Sequence, residues 1–272
     1  MGRQWRIAAS VYRRYVGAQR FRRIDRTRRP HLERRQRGQQ RVTAQAPLHA
    51  FDDGQALATA LAARLAEGLR NAIDARGEAT IAVSGGNTPK RLFDRLSHEV
   101  LDWSRVTVTL VDERWVPDTD ERSNARLVES LLLRHNAADA QFVPLYAEAA
   151  TPEAGIAQVR TRIGTMKLPF DVVVLGMGPD GHTASFFPGG DRLGEALDPT
   201  NTAEVLPMRA PNAGEPRITF TLSVLLKARS LYLHIEGADK RVLLEQAEQP
   251  DSSLPIASVL HRARQLEIYW CP

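Results

Sequence analysis

From residue 53 to residue 270 the chain switches repeatedly between two hydrophobic periods, and the switching predicts its architecture. Leu57, Leu61, Leu65, Leu69 and Ile73 recur four residues apart, the apolar stripe of an amphipathic helix that ends near Gly77. Residues 80–83 read as a short buried strand, and Leu92, Phe93 and Leu96 mark a second helix. Residues 106–111 predict the next strand, and Leu127, Leu131 and Leu132 a helix that Ser123 or Asn124 can cap. Residues 142–145 read as a strand, Ile156, Val159 and Ile163 as a helix, and 172–175 as a buried strand. Extended segments are expected near 219–221 and 231–235, a helix after Asp239, and a closing strand at 266–270. Apolar strands separated by amphipathic helices predict a mostly parallel sheet covered on both faces. Residues 189–216, rich in Gly, Pro, Asp and Asn, read as a long excursion.

Composition bounds the class without naming a reaction. Of 272 residues, 43% are apolar and 25% charged, ordinary values for a globular domain. Cys271 is the single cysteine, so an internal disulfide and a thiolate metal site are both excluded, which fits a reducing compartment. No apolar run approaches the roughly 20 residues that span a bilayer, and the chain is read as soluble and cytoplasmic. The net charge of +5 hides a division. Residues 1–41 hold 14 arginines, no lysine and two acids, Asp25 and Glu33, whereas the remainder holds 23 basic and 30 acidic residues. An acidic body thus follows a strongly basic leader. Three readings fit it: an arm for RNA or an anionic surface, an organelle transit peptide, or a segment upstream of a genuine start at or near Val42. Residues 1–45 are taken as an Arg-rich extension, disordered or belonging to a mis-assigned start, and 46–272 as the catalytic domain.

Parallel strands deliver their following loops to one edge, where open α/β sheets bind ligands. The first such loop is Ser84-Gly85-Gly86-Asn87-Thr88-Pro89, leading into a helix. Two glycines free backbone N–H groups, Ser84 and Thr88 supply hydroxyls, and the helix start is positive, which together suit a phosphate. The alternative is a plain strand–helix turn capped by Thr88. A Gly-Lys-Ser/Thr ending is absent, so the loop is not a P-loop. The second loop is Asp112-Glu113-Arg114-Trp115-Val116-Pro117, with Ser123 and Asn124 beyond it. Arg114 is a candidate for an oxyanion or carboxylate contact. A surface ion-pair cluster is the competing reading, with Glu113 either functional or simply the partner of Arg114.

The third loop is Gly176-Met177-Gly178-Pro179-Asp180-Gly181-His182-Thr183, directly after an apolar strand. Its glycine spacing matches the dinucleotide pattern literally. However, Pro179 and Asp180 fill the turn, and the motif lies late in the chain instead of in the first βαβ unit. A histidine at the carboxyl edge of a strand is a candidate general base, and Asp180 a candidate to orient it. The fourth feature is Arg217 together with Lys240, which complete a phosphate clamp only if they converge on the 84–88 loop.

Taken together, these ordered motifs resemble the glucosamine-6-phosphate isomerase/6-phosphogluconolactonase family, and within it the lactonases. The similarity runs over about residues 48–270, nearly everything after the leader. The resemblance implies a three-layer α/β/α Rossmann-like sandwich with a mostly parallel sheet, no nicotinamide cofactor and no required metal. It also implies hydrolysis of 6-phospho-D-glucono-1,5-lactone to 6-phospho-D-gluconate in the oxidative pentose phosphate pathway. On that basis His182 is expected to activate water, with Asp180 biasing its tautomer and Arg114 meeting the oxyanion or a hydroxyl. Ser84, Gly85, Gly86, Asn87, Thr88, Asp112, Gly178, Arg217 and Lys240 are expected to hold the substrate and its phosphate.

The superfamily also contains glucosamine-6-phosphate deaminases, which place an aromatic residue after the Asp-Glu pair and a catalytic Glu five residues after the motif's His. Here those positions are Arg114 and Phe187, so a proton shuttle between sugar carbons lacks its acid–base partner. Sugar-phosphate sensor domains share the architecture as well. Residues 1–41 show no two-helix apolar pattern for a helix-turn-helix, and a sensor has no need of the Asp180–His182 pair. The expected partner is a phosphorylated sugar lactone, with no membrane contact and nucleic acid only through the 1–41 arm. The expected assembly is a monomer or weak dimer.

Overall fold

The computed structural model describes residues 45–272; the basic leader and the start expected at Val42 lie outside the described residues. The order begins with β1 (Leu48–Ala50), α1 (Gly54–Arg76), β2 (Ala79–Val83) and α2 (Lys90–Ser97). It continues through β3 (Val106–Leu110), β4 (Asp112–Arg114), α3 (Asn124–Leu131), β5 (Gln141–Val143) and α4 (Pro152–Ile163). Next come β6 (Val172–Leu175), α5 (Leu193–Ala196), β7 (Val205–Met208), β8 (Arg217–Phe220) and α6 (Leu222–Leu225). The chain closes with β9 (Ser230–Glu236), α7 (Ala238–Ala247), α8 (Ala257–Leu260) and β10 (Leu266–Cys271).

The long helix forms where the four-residue stripe predicts it. The Asp53 side chain accepts from the backbone N–H groups of Gln55 and Ala56, and Gly77 ends the helix in the left-handed conformation at φ 84°. Leu57, Leu61, Leu65 and Leu69 are fully buried. Seven strands form one sheet in the order β1-β10-β9-β6-β2-β3-β5, and every pairing in it is parallel. All five residues of β2 and all four of β6 are buried, which requires cover on both faces and explains their unbroken apolar runs.

Chain order reverses direction in this sheet between β2 and β6. From β2 the chain builds outward through β3 and β5, then returns through β6, β9 and β10. Loops leaving two neighbouring strands therefore diverge to opposite sides and leave a crevice at their carboxyl ends. The loops concerned are residues 84–89 and 176–182.

Several elements differ from expectation. The strand expected over 106–111 does not run on into a surface loop. At Val111 the chain leaves the parallel sheet and enters β4, the first strand of a three-stranded antiparallel sheet ordered β4-β8-β7. Arg217 thus opens an antiparallel strand and does not end a parallel one. The excursion at 189–216 contains β7, which Pro207 disguises in the sequence. A proline cannot donate to a ladder, and β7 is the edge strand where that is tolerated. The strand expected at 142–145 is Gln141–Val143, set by its register Thr107↔Gln141 against β3. The three-residue β1 and the one-turn helices α5, α6 and α8 are too short to leave a periodic signal.

Candidate active site

Between the carboxyl ends of β2 and β6 lies a cavity of about 360 Å³. Its wall includes eleven of the expected residues: Ser84, Gly85, Gly86, Asn87, Thr88, Asp112, Arg114, Gly178, His182, Arg217 and Lys240. The twelfth, Asp180, is hydrogen-bonded to His182 from behind. The four sequence-distant features, Arg217 and Lys240 included, all line this one cavity.

One end of the cavity is the loop between β2 and α2. Among the described residues, the backbone N–H groups of Gly85, Gly86, Asn87 and Thr88 donate to no protein acceptor, while Ser84 N–H is spent on Val174 O. Four successive free donors ahead of a helix form a concavity suited to an anion. Pro89, not Thr88, occupies the cap position of α2 and makes no side-chain capping bond, so the plain-cap reading of Thr88 fails. Ser84 differs from expectation: its hydroxyl donates to Val174 O at 3.0 Å and accepts from Gly176 N at 3.1 Å. With its proton committed, Ser84 fastens the two loops to each other and leaves anion contact to its neighbours' backbone. Gly85 is required by packing, because a Cβ there would lie 1.9 Å from Asn124 Oδ1.

The opposite wall carries His182. Its Nδ1 lies 2.5 Å from Asp180 Oδ1, and its backbone N–H donates to the same oxygen at 3.2 Å. A carboxylate accepts at Nδ1, so the ring proton belongs there and Nε2 presents its lone pair. Partial burial raises the Asp180 carboxyl, but the hydrogen bonds from His182 outweigh it and hold the group below its ordinary value. The ring leans on Phe187 at a centroid distance of 4.4 Å. It also lies so close to Gly178 that a Cβ there would fall 2.0 Å from its Cε1. Gly178 and Asp180 thus fix the imidazole from two sides, which is why position 178 is glycine. Lys240 Nζ donates to Met177 O at 2.6 Å on the same turn, and burial lowers its ammonium despite nearby Asp180.

Arg114 and Arg217 are direct partners across β4 and β8, so two guanidiniums sit side by side on the cavity wall. Arg217 Nη2 donates to Ala213 O at 2.7 Å, and its guanidinium lies 5.4 Å from the Phe187 ring centroid. Burial lowers its affinity for the proton, Asp112 opposes that, and Arg114 adds to it. Asp112 is held by Ser185 Oγ at 2.5 Å. Glu113, left open by the sequence, does not pair with the Arg114 guanidinium. It is fully buried and accepts from the N–H groups of Asn124, Ala125 and Arg114 and from Ser123 Oγ. Burial pushes its carboxyl up to about 7 against those backbone donors. Its place is structural, locking the start of α3 beneath Arg114.

Residues not singled out for the site also line it, among them Asn124, Thr183, Asn212 and His234. Asn124 Oδ1, Thr183 Oγ1 and His234 Nδ1 are buried without a protein partner. Asn124 and Thr183 belong to the second and third loop segments, without a role assigned to them there. Asn212 lies in the excursion, and His234 sits inside an apolar strand where nothing marks it. Elsewhere, one group among the described residues brings three metal-ligand atoms within 4.8 Å of one another: Asp94, His98 and His135, all exposed. None of them lines the cavity.

A family model described as glucosamine-6-phosphate isomerases/6-phosphogluconolactonase matches residues 52–270. The chain belongs to this family. Among its members, a 6-phosphogluconolactonase of Rhizobium meliloti (strain 1021) is 55% identical over 230 residues, covering 84% of this chain and 99% of the relative. The crystal structure of a 6-phosphogluconolactonase from Shewanella baltica OS155 superposes with a TM-score of 0.82 at 39% identity, over 85% of this chain and 99% of that one. A monomeric glucosamine-6-phosphate deaminase also superposes, with a TM-score of 0.66 at 18% identity over 83% of this chain and 97% of that one. That last likeness is of fold alone, and a fold by itself does not decide which reaction a site performs. No helix among the described residues is long and apolar enough to cross a membrane.

Proposed function

We propose that this chain hydrolyses 6-phospho-D-glucono-1,5-lactone to 6-phospho-D-gluconate, the lactonase step of the oxidative pentose phosphate pathway, in the cytoplasm and as a monomer or weak dimer. The catalytic unit is residues 46–272. One observation carries the reading: a four-donor anion loop and an Asp-oriented histidine face a single cavity, with apolar Phe187 where a deaminase needs its glutamate. The names of the family relatives support the same substrate.

In this mechanism the phosphate docks on the N–H groups of residues 85–88, aided by Thr88, Arg217 and Lys240. The lactone carbonyl then meets the opposite wall. Nε2 of His182 takes a proton from water as the water oxygen attacks C1, and Asp180 stabilises the imidazolium that forms. Arg114, the more exposed arginine of the pair, faces the oxyanion or a sugar hydroxyl. Collapse of the tetrahedral intermediate breaks the C1–ring oxygen bond, and the imidazolium returns its proton to the departing oxygen. Asp112, held by Ser185, accepts from a sugar hydroxyl. Nothing in this sequence needs a metal or an electron carrier.

The test is product formation from freshly generated lactone, followed by coupled oxidation of 6-phosphogluconate and run beside glucosamine 6-phosphate. Acceleration of the lactone alone supports the reading; equal rates with and without enzyme reject it. A second expectation concerns Gly178. Gly178→Ala must push the His182 ring off Asp180, so kcat should fall by about 10²-fold, the lower end of the range for a general base. Full activity in that variant would show that the ring position is unimportant.

A further inference from the structure

His234 is 2% exposed in β9 and lines the same cavity, yet the mechanism above makes no use of it. Its Nε2 lies 3.2 Å from Glu236 Oε1. Its Nδ1 is buried with no protein partner. Glu236 is held in turn by Arg91 Nη1 at 3.2 Å, and Arg91 is the second residue of α2, the helix that begins at the anion loop. An Arg91–Glu236–His234 chain therefore runs from the base of that helix into the cavity wall.

We infer that His234 is a ligand for the phosphate end of the substrate and binds it as an imidazolium, so that docking a phosphate dianion takes up one proton from solvent. This rests on the lactonase reading for the identity of the substrate. With Glu236 accepting at Nε2, the neutral ring leaves Nδ1 a lone pair without a protein partner, and a phosphate oxygen brought against it would be opposed. Adding a proton at Nδ1 converts that repulsion into a charge-assisted donor, and the cation then lies between two anions. The hydrogen bond from His234 leads the effects that hold the Glu236 carboxyl below its ordinary value, ahead of the burial that opposes it. The surrounding charges are mixed. Arg91 from α2 and Lys240 from α7 disfavour a further cation, whereas Glu236 and, on the loop after β6, Asp180 favour it; His182 shares the cavity, and Tyr269 on β10 stands in register with His234. The incoming dianion adds to the favouring side.

The experiment is calorimetric titration of the full chain with 6-phosphogluconate at pH 7.5, in two phosphate-free buffers of different ionisation enthalpy. Wild type should take up close to one proton per site. His234→Asn should lose most of that uptake and bind about tenfold more weakly, and in turnover KM should rise about tenfold with kcat changing far less. Glu236→Gln keeps the shape of the partner and should cut the uptake as well, which keeps the test sharp should His234→Asn fail to fold. Absence of uptake in wild type, or equal uptake in wild type and either variant, overturns the inference. Lactonase activity is scored separately. An active enzyme without proton uptake refutes only this role of His234, whereas uptake without lactonase activity refutes only the choice of reaction.

Discussion

In His182→Ala, kcat for the phosphorylated lactone is expected to fall by about 10²–10⁴-fold, the usual contribution of a positioned general base, with KM changing little. The expectation follows from where the ring stands. Its side chain is hydrogen-bonded to Asp180 and not to the anion loop, so its loss removes no hydrogen bond that holds that loop. Its work is confined to the proton that leaves water and the proton that returns to the ring oxygen. The side chain is only partly buried, and Asp180 keeps access to solvent, so the fold should be little disturbed. A stability change under about 1 kcal/mol would move the melting midpoint by less than roughly 2–4 °C in a domain of this size. A variant that melts normally, binds 6-phosphogluconate normally and still turns over near the wild-type rate would transfer the role to another group.

The second large effect comes from the far end of the cavity. Glucono-1,5-lactone without its phosphate should be hydrolysed with kcat/KM lower by about 10³-fold. Hydrogen bonds to a charged group contribute about 1.5–3 kcal/mol each. Two of them, at about 2 kcal/mol apiece, correspond to roughly three powers of ten. Part of the loss should fall on kcat, because binding energy at a remote group also holds the reacting carbon against the base. Comparable rates on both lactones would mean that the 84–88 loop does not grip the substrate.

Much of this was legible in the chain because two signals were long and clean. The stripe Leu57, Leu61, Leu65, Leu69 and the unbroken apolar runs of β2 and β6 specify a helix and two central parallel strands, and those three elements flank the switch point. The site residues were legible for a related reason: they lie directly after those strands, where glycine and polar residues stand out against apolar runs. What escaped notice depends on pairing at a distance. The antiparallel sheet joins residues 112–114 to 217–219 across about a hundred positions, and no local period encodes that register. The hydroxyl of Ser84 looked available until Val174 O and Gly176 N claimed it. Glu113 looked like an ion-pair partner until four donors around the start of α3 enclosed it. His234 was hidden by its position in the apolar strand β9, where alternation alone reads as core.

The account stands on one spatial claim, that a single sugar phosphate spans the anion loop and His182. The structure of a complex with 6-phosphogluconate measures it directly. The phosphate oxygens should lie within about 2.7–3.2 Å of the N–H groups of residues 85–88, and the C1 carboxylate should lie within hydrogen-bond reach of His182 Nε2, directly or through one water. A sugar bound in the reverse sense, with its phosphate at His182, or one whose C1 lies beyond that reach, contradicts the account.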